Sequence, residues 1–408
     1  MSSVISAIVS LALLQQVETP GRVRPAPRPT PFYWSWSELE FVEREDVYAM
    51  NPADIAIDIL GVRHLVFGAR RPGDCSPERY WCGLYHQSST DGKTWTRPEL
   101  IPGTDAASSW SDPVVVADET GRVYVAWVGR GIEVCWSDDR GQTFSSPVTV
   151  SGNLPTGFDV DMQIDSLGAV HLAWLGIEFD DSGDYWWDVY YAWSTPTYLG
   201  WARRDPEFYP GYAVSQDHYA GGAEISLGVG PGQWVTVAWQ DWDSNLRLAQ
   251  ARAGDPFPPS LDPGSGRVVR NPWVVSSSDG AVTVFYIRYG PPDYKQRMYS
   301  FVAIDGCTFE GPFALTRSNS HATLGRRRCV QPYRPGEIHV IWNGFVGGAG
   351  SFWHSISYDY GRSLCSFYQL WDYRDYPPSG DGGLDLLPDG RPALICYIHR
   401  YGEALPVR

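Results

Sequence analysis

Two carboxylates open apolar, alternating stretches: Asp161 in "VDMQI" and Glu224 in "EISLG". Paired carboxyl groups across a cleft can hydrolyse a glycosidic bond. One acts as acid, the other as base or nucleophile, and their separation decides between the two courses. Other residues suit a sugar. "LGIEFDDSGDYWWDVYY" (175–191) carries Trp186 and Trp187, and "RYGPPDYKQRMY" (288–299) carries Tyr294, Lys295, Arg297 and Tyr299. Arg270 and Arg328 lie at the starts of further strands. Aromatic rings stack on the C–H faces of pyranoses, and charged groups take their hydroxyls. The plainer reading is that the rings pack loops together while the acids stay solvated.

Other chemistries find less support. "FDDSGD" (179–184) gathers acids as a hard cation would require, but it lacks the twelve-residue calcium frame and its closing Glu, so solvated acids are expected and no metal. No C-x-x-C or Cys/His zinc spacing occurs. No nucleophile elbow, zinc-protease helix or phosphate loop is present, and no cofactor is expected. His64, His171 and His339 alternate inside apolar strands and read as core or strand-face residues. There remains "SDDRGQTF" (137–144), whose adjacent acids either do chemistry or hold a turn.

The elements that position these residues repeat. An apolar strand, a turn ending in Gly and a second alternating strand recur seven times. Examples are "VVVADETGRVYVAW", ending at Trp127, and "MQIDSLGAVHLAW", ending at Trp174. Period-two alternation around such a turn is a hairpin. A second hairpin follows most copies, as in "GIEVCWSDDRGQTFSSPVTV". Four strands per unit at about fifty residues signify a β-propeller, here expected to be seven-bladed with six blades as the alternative. The last copy lacks a clear fourth strand, and "FYWSWSELEFV" (32–42) alternates and would supply it, closing the ring. The 42 Gly and 32 Pro are spread throughout the 408 residues, in keeping with many short strands and turns.

A net charge of −15 repels phosphate, which argues against nucleic acid as a partner. Lys93 and Lys295 are the only lysines. The apolar run "VISAIVSLALL" (4–14) is short for a membrane span and fits the core of an export signal, so residues 1–18 read as a signal peptide. The Pro- and Arg-rich residues 19–31 read as a linker, and 32–408 as the propeller. No other run is long enough to span a bilayer. The expected location is secreted, periplasmic or cell-surface, with a glycan or an extracellular protein as partner. Seven Cys leave at least one unpaired within a monomer. Cys75 and Cys82 could staple one loop, whereas Cys135 reads as a buried thiol.

"SDDRGQTF" sits in the turn of the second hairpin, and "SSTDGKTW", "VAIDGCTF" and "SYDYGRSL" occupy equivalent places. The pattern S-x-D-x-G-x-T-W/F resembles the Asp-box, or BNR repeat, of the sialidase superfamily. Ser137, Asp139, Gly141, Thr143 and Phe144 match every position, and Ser357, Asp359 and Gly361 match in another copy. The remaining two shift the acid to Asp91 and Asp305. The resemblance covers about residues 54–400. It implies outer-rim turns of structural purpose, with any site on the opposite face. Hydrogen-bonding Asp and flexible Gly favour the same structural reading.

The superfamily's enzymes use an Arg triad, a Tyr–Glu pair and an Asp acid/base. "ARRPGD" looks like the Arg- and Asp-bearing loop, making Arg71 and Asp74 candidates, and Glu224 lies where the Glu would fall. However, "MNP" (Met50 to Pro52) replaces the first Arg-Ile-Pro, Gln240 stands for a triad Arg, and Gly382 and Gly383 stand for Tyr-Ser. The resemblance therefore implies the fold without sialic-acid hydrolysis. The expected function is an exported glycan- or protein-binding module. The alternative is a glycoside hydrolase, either a divergent sialidase or a two-carboxylate enzyme.

Overall fold

The computed structural model describes residues 4–9, 11–13, 34–36, 40–41, 48–70, 83–104, 112–157, 159–179, 182–199, 202–215, 220–266, 268–290, 295–316, 321–323, 330–346, 349–372 and 378–399. Among them there is no α-helix, and the architecture is an all-β propeller.

Six principal sheets follow in chain order. The first runs Tyr48–Ile57, Arg63–Arg70, Gly83–Ser89, Glu99–Leu100. The second runs Val114–Ala117, Val123–Val128, Ile132–Ser137, Val148–Thr149. The third is double. Val160–Ile164, Val170–Phe179 and Tyr185–Trp193 join Ala220–Gly230, Trp234–Asp241 and Leu246–Arg252 through the single pair Trp187 and Ala220. The fourth runs Val269–Ser276, Val282–Gly290, Lys295–Ala303, Glu310–Ala314. The fifth contains Val330–Arg334, Glu337–Val346, Ala349–Ser357 and Cys365–Asp372, with His321–Thr323 beside the second of these. The sixth combines Pro378–Leu386 and Pro392–His399 with Val4–Val9 and Glu40–Phe41.

Neighbouring units touch through their first strands. Pro378–Leu386 lies against Tyr48–Ile57, and that against Val114–Ala117; the contacts continue through Val160–Ile164, Ala220–Gly230, Val269–Ser276 and Val330–Arg334 back to Pro378–Leu386. The cycle leaves no first strand without a neighbour on either side, as the need to protect sheet edges requires.

Two outcomes differ from the repeat pattern. The four-strand units are not all separate, since two share the third sheet. The closing segment is also composite. Val4–Val9 pairs with Pro392–His399 over six residues, and Glu40–Phe41 adds the outer strand. The run that reads as an export signal is thus apolar enough to serve as an inner strand. Trp34–Trp36 pairs instead with Leu11–Leu13.

Packing explains the strand composition. Val123–Val128 and Ile132–Ser137 are buried along their whole length, because each middle strand has a sheet on both faces. The outer strand Val148–Thr149 is exposed. The hairpin turns work as the D-x-x-G pattern suggests. Asp118 Oδ1 accepts the N–H groups of Thr120 and Arg122, and Gly121 takes φ +81°, which a side chain would resist.

Candidate functional site

The 137–144 octet forms a closed hydrogen-bonded turn. The Ser137 hydroxyl donates to Asp139 Oδ1 at 2.7 Å and accepts the Gly141 N–H at 2.6 Å. Asp139 Oδ1 also accepts the Thr143 N–H at 2.8 Å, and Oδ2 accepts the Thr143 hydroxyl at 2.6 Å. Ser357, Asp359, Gly361 and Ser363 repeat this arrangement, and Ser89, Asp91, Gly92 and Thr94 do so with one residue fewer. Partial burial works against the Asp139 charge, but the Thr143 and Ser137 donors outweigh it and hold the carboxyl below its usual range. These carboxylates have their oxygens committed to their own turns.

Each turn also docks on the preceding sheet. A Cβ on Gly141 would lie 2.1 Å from His86 Cε1, and Phe144 meets the His86 ring edge-on. At the equivalent place, Ser300 and Thr283 donate to the carbonyls of Gly361 and Tyr360. Beneath the turns lie buried histidine chains. His64 Nδ1 contacts His86 Nε2 at 3.2 Å, and His339 Nδ1 contacts His354 Nε2 at 3.0 Å. His171 instead contacts the Tyr191 hydroxyl at 2.7 Å. Asp58, Glu337 and Asp165 stand on the far side of His64, His339 and His171. The alternating positions of His64, His171 and His339 are therefore core positions. Burial, then the neighbouring His64, pushes His86 down to about 3.

The first-strand carboxylates join one unit to the next. Asp161 is 4% exposed, and its Oδ2 accepts the Leu227 N–H at 2.8 Å. Asp54 accepts the Val115 N–H at 3.0 Å, and Asp385 accepts the Ile57 N–H at 2.6 Å. Ser226 takes the same part toward the Val274 N–H. Glu224, half-buried, holds the Asn271 backbone and receives its side-chain amide at 3.0 Å. Asp161 and Glu224 thus each tie a neighbouring first strand. Asp54 and Asp385 share the flanking pattern of Asp161, a lone acid between apolar residues in a first strand, which is the sequence signal for this latch.

One Tyr–Glu contact exists at the loop-rich end: the Tyr190 hydroxyl donates to Glu178. The ring of Tyr190 reaches there over Gly176, stacks on Trp174 with centroids 5.8 Å apart, and is 3% exposed. Burial and Glu178 push the phenol well above its usual range. Tyr190 lies in the packed interior beside the second sheet, and Glu178 is half-buried.

The remaining candidates separate into two groups. Arg71, Asp74, Tyr294, Arg328 and the Cys75–Cys82 loop lie outside the described residues. Trp187 packs into the core of the third sheet, and Trp186 is half-buried beside it in the strand. Arg270 is exposed, and Tyr299 is half-buried. Tyr299 stacks on Tyr286 at 5.8 Å, and the Arg288 guanidinium lies over its ring at 5.8 Å. Phe179 and Tyr185, 68% and 55% exposed, form a ring pair at the end of the Val170–Phe179 and Tyr185–Trp193 hairpin. Phe179, Tyr185 and Arg288 lie within segments that the sequence singled out by composition, and Tyr286 just before one, but the sequence reading named none of them individually. Cys135 is a buried free thiol, and Cys307 and Cys365 are exposed free thiols. No metal-binding cluster occurs among the described residues, and no helix there is long and apolar enough to cross a membrane.

No protein-family model and no curated protein matches this sequence. Solved structures do resemble it in fold. The BP39L lectin from Burkholderia pseudomallei aligns with a TM-score of 0.56 and 12% identity, over 86% of this chain and 97% of that one. A polysaccharide lyase, ulvan lyase bound to -[GlcA(1-4)Rha3S]-, aligns with a TM-score of 0.51 and 11% identity, over 85% and 90%. A six-bladed propeller lectin of Aleuria aurantia aligns at 0.44 with 12% identity, over 79% and 97%.

Proposed function

We propose that the protein is a carbohydrate-binding β-propeller that holds a glycan on its loop-rich face without hydrolysing it. One observation carries the reading. The carboxylates best suited to two-carboxylate hydrolysis, Asp161 and Glu224, are engaged with backbone N–H groups of the next unit. The hairpin ends, in contrast, present aromatic and cationic side chains. Stacking rings beside hydrogen-bonding groups suit sugar recognition. Propeller-like folds also hold carbohydrate in the lectin and the lyase, which agrees with this reading at the level of fold.

The finer architecture follows the same reading. Counting the double third sheet as two blades gives a seven-bladed propeller, with the Ser137 and Ser357 turns as Asp-boxes of the sialidase type. Export rests on the apolar run at 4–14, whose cleavage would remove the Val4–Val9 strand from the last sheet; N-terminal sequencing of protein recovered outside the cell checks it. An N-terminus near residue 19 supports cleavage of a signal, and an intact Met1 excludes it.

The function is tested by a glycan array combined with a hydrolysis screen on purified protein. Saturable binding without product release is expected. Turnover that disappears in Glu224→Gln would establish the hydrolase instead.

A further inference from the structure

The fourth sheet carries an unusual concentration of positive charge. Arg288 and Arg297 face each other across the ladder, as do Tyr286 and Tyr299, and Gly290 pairs with Lys295. Opposed residues in an antiparallel pair share a face, and so do residues two apart. Lys295, Arg297, Arg288, Tyr299 and Tyr286 therefore occupy one face of one hairpin, toward the end where Gly290 pairs with Lys295. In a chain with two lysines and a net charge of −15, this grouping stands against the overall field.

Two members have unused hydrogen-bonding capacity. The Arg288 guanidinium is flanked by Gly266, where an added Cβ would meet its Cζ at 3.1 Å, and by the Tyr299 ring. Among the described residues it makes no ion pair. Asp262, whose charge also acts on Tyr286, directs its Oδ1 to the N–H groups of Gly264 and Ser265. The Tyr286 side chain is fully buried, and its hydroxyl has no hydrogen-bond partner. A buried hydroxyl without a partner costs stability and calls for a reason. Burial pushes this phenol upward, and Arg288 draws it back.

A guanidinium whose faces are covered offers its N–H edge, and that edge matches the geometry of an oxyanion. We propose that this face binds the oxyanion of an acidic sugar, either a uronate carboxylate or a sulfate ester, with Arg288 as the direct contact. Lys295 and Arg297 place further positive charge on the same face. The inference rests on the carbohydrate-binding reading above and specifies the ligand class for it.

Calorimetric titration with four oligosaccharide preparations tests it: one containing uronate, the same one after carboxyl reduction, one sulfated, and one neutral. The expected result is acidic ligand bound at least tenfold more tightly than its neutral counterpart, with the difference removed by Arg288→Gln. The carboxyl-reduced arm separates uronate from sulfate recognition. Equal binding of neutral and acidic ligands, or unchanged binding in Arg288→Gln, would overturn the oxyanion site and leave the carbohydrate reading in place. Failure of every oligosaccharide to bind would overturn both.

Discussion

The outer turns and the cationic face of the fourth sheet are both rich in charge, but they differ in how that charge is satisfied. In the 137–144 turn, both Asp139 oxygens accept hydrogen bonds from the turn itself. On the fourth sheet, Arg288 lies against a ring and a glycine, and the Tyr286 hydroxyl is unpartnered. Charge satisfied from within holds a fold together, whereas a guanidinium without an ion-pair partner is available to a ligand. Substitutions in the first region should alter stability and spare binding; those in the second should do the reverse.

The largest effect is expected at Gly141. An added methyl would meet the His86 ring at 2.1 Å, and φ of +81° already disfavours a side chain. Gly141→Ala should cost roughly 3–5 kcal/mol in chemical denaturation and leave glycan affinity per folded molecule unchanged. A loss below about 1 kcal/mol would mean that the turn does not dock as described. Next comes the latch. Asp161→Ala removes the acceptor for the buried Leu227 N–H and should cost about 2–3 kcal/mol, with Asp161→Asn costing less. A variant of full stability but altered ligand handling would return Asp161 to the functional candidates.

The buried histidines should make the fold sensitive to acid. His86 is held at about 3 in the folded state, below its ordinary 6.5. Between those values the unfolded chain binds a proton that the folded chain does not. Stability should therefore fall as pH drops from about 6.5 to 3, by at most ~1.4 kcal/mol per pH unit for this group. His354, also pushed down by burial and His339, acts in the same direction. Replacing His86 with Gln should flatten the profile of denaturation midpoint against pH, and an unchanged slope would remove His86 from the explanation. The smallest effect is expected at Asp139→Ala, about 1–2 kcal/mol, because the turn is open to water that can replace the lost partners.

Much of the fold was legible because its causes are local. Period-two alternation, the D-x-x-G turns and the S-x-D-x-G-x-T pattern each act within one hairpin, and the structure has hairpins at those places. The sharing of the third sheet by two units was not legible, since it depends on one cross-strand pair, Trp187 with Ala220. Nor was the entry of Val4–Val9 into the last sheet, because an apolar run of that length suits an export signal as well as a strand. The candidate site was legible by composition only. The 288–299 segment was marked by its Tyr, Lys and Arg content, but it is strand at both ends, and the register that sets Arg288 opposite Arg297 comes from the ladder. Asp161 and Glu224 were singled out by residue type, and their partners Leu227 and Asn271 lie in the following unit, beyond the reach of a local pattern.

The central claim is binding without hydrolysis on the loop-rich face. It is tested most directly by titrating the purified protein with acidic oligosaccharide while following the release of new reducing ends in the same sample. Saturable binding with no new reducing ends is the expected result. Reducing ends that accumulate with wild-type protein and vanish with Glu224→Gln would contradict it.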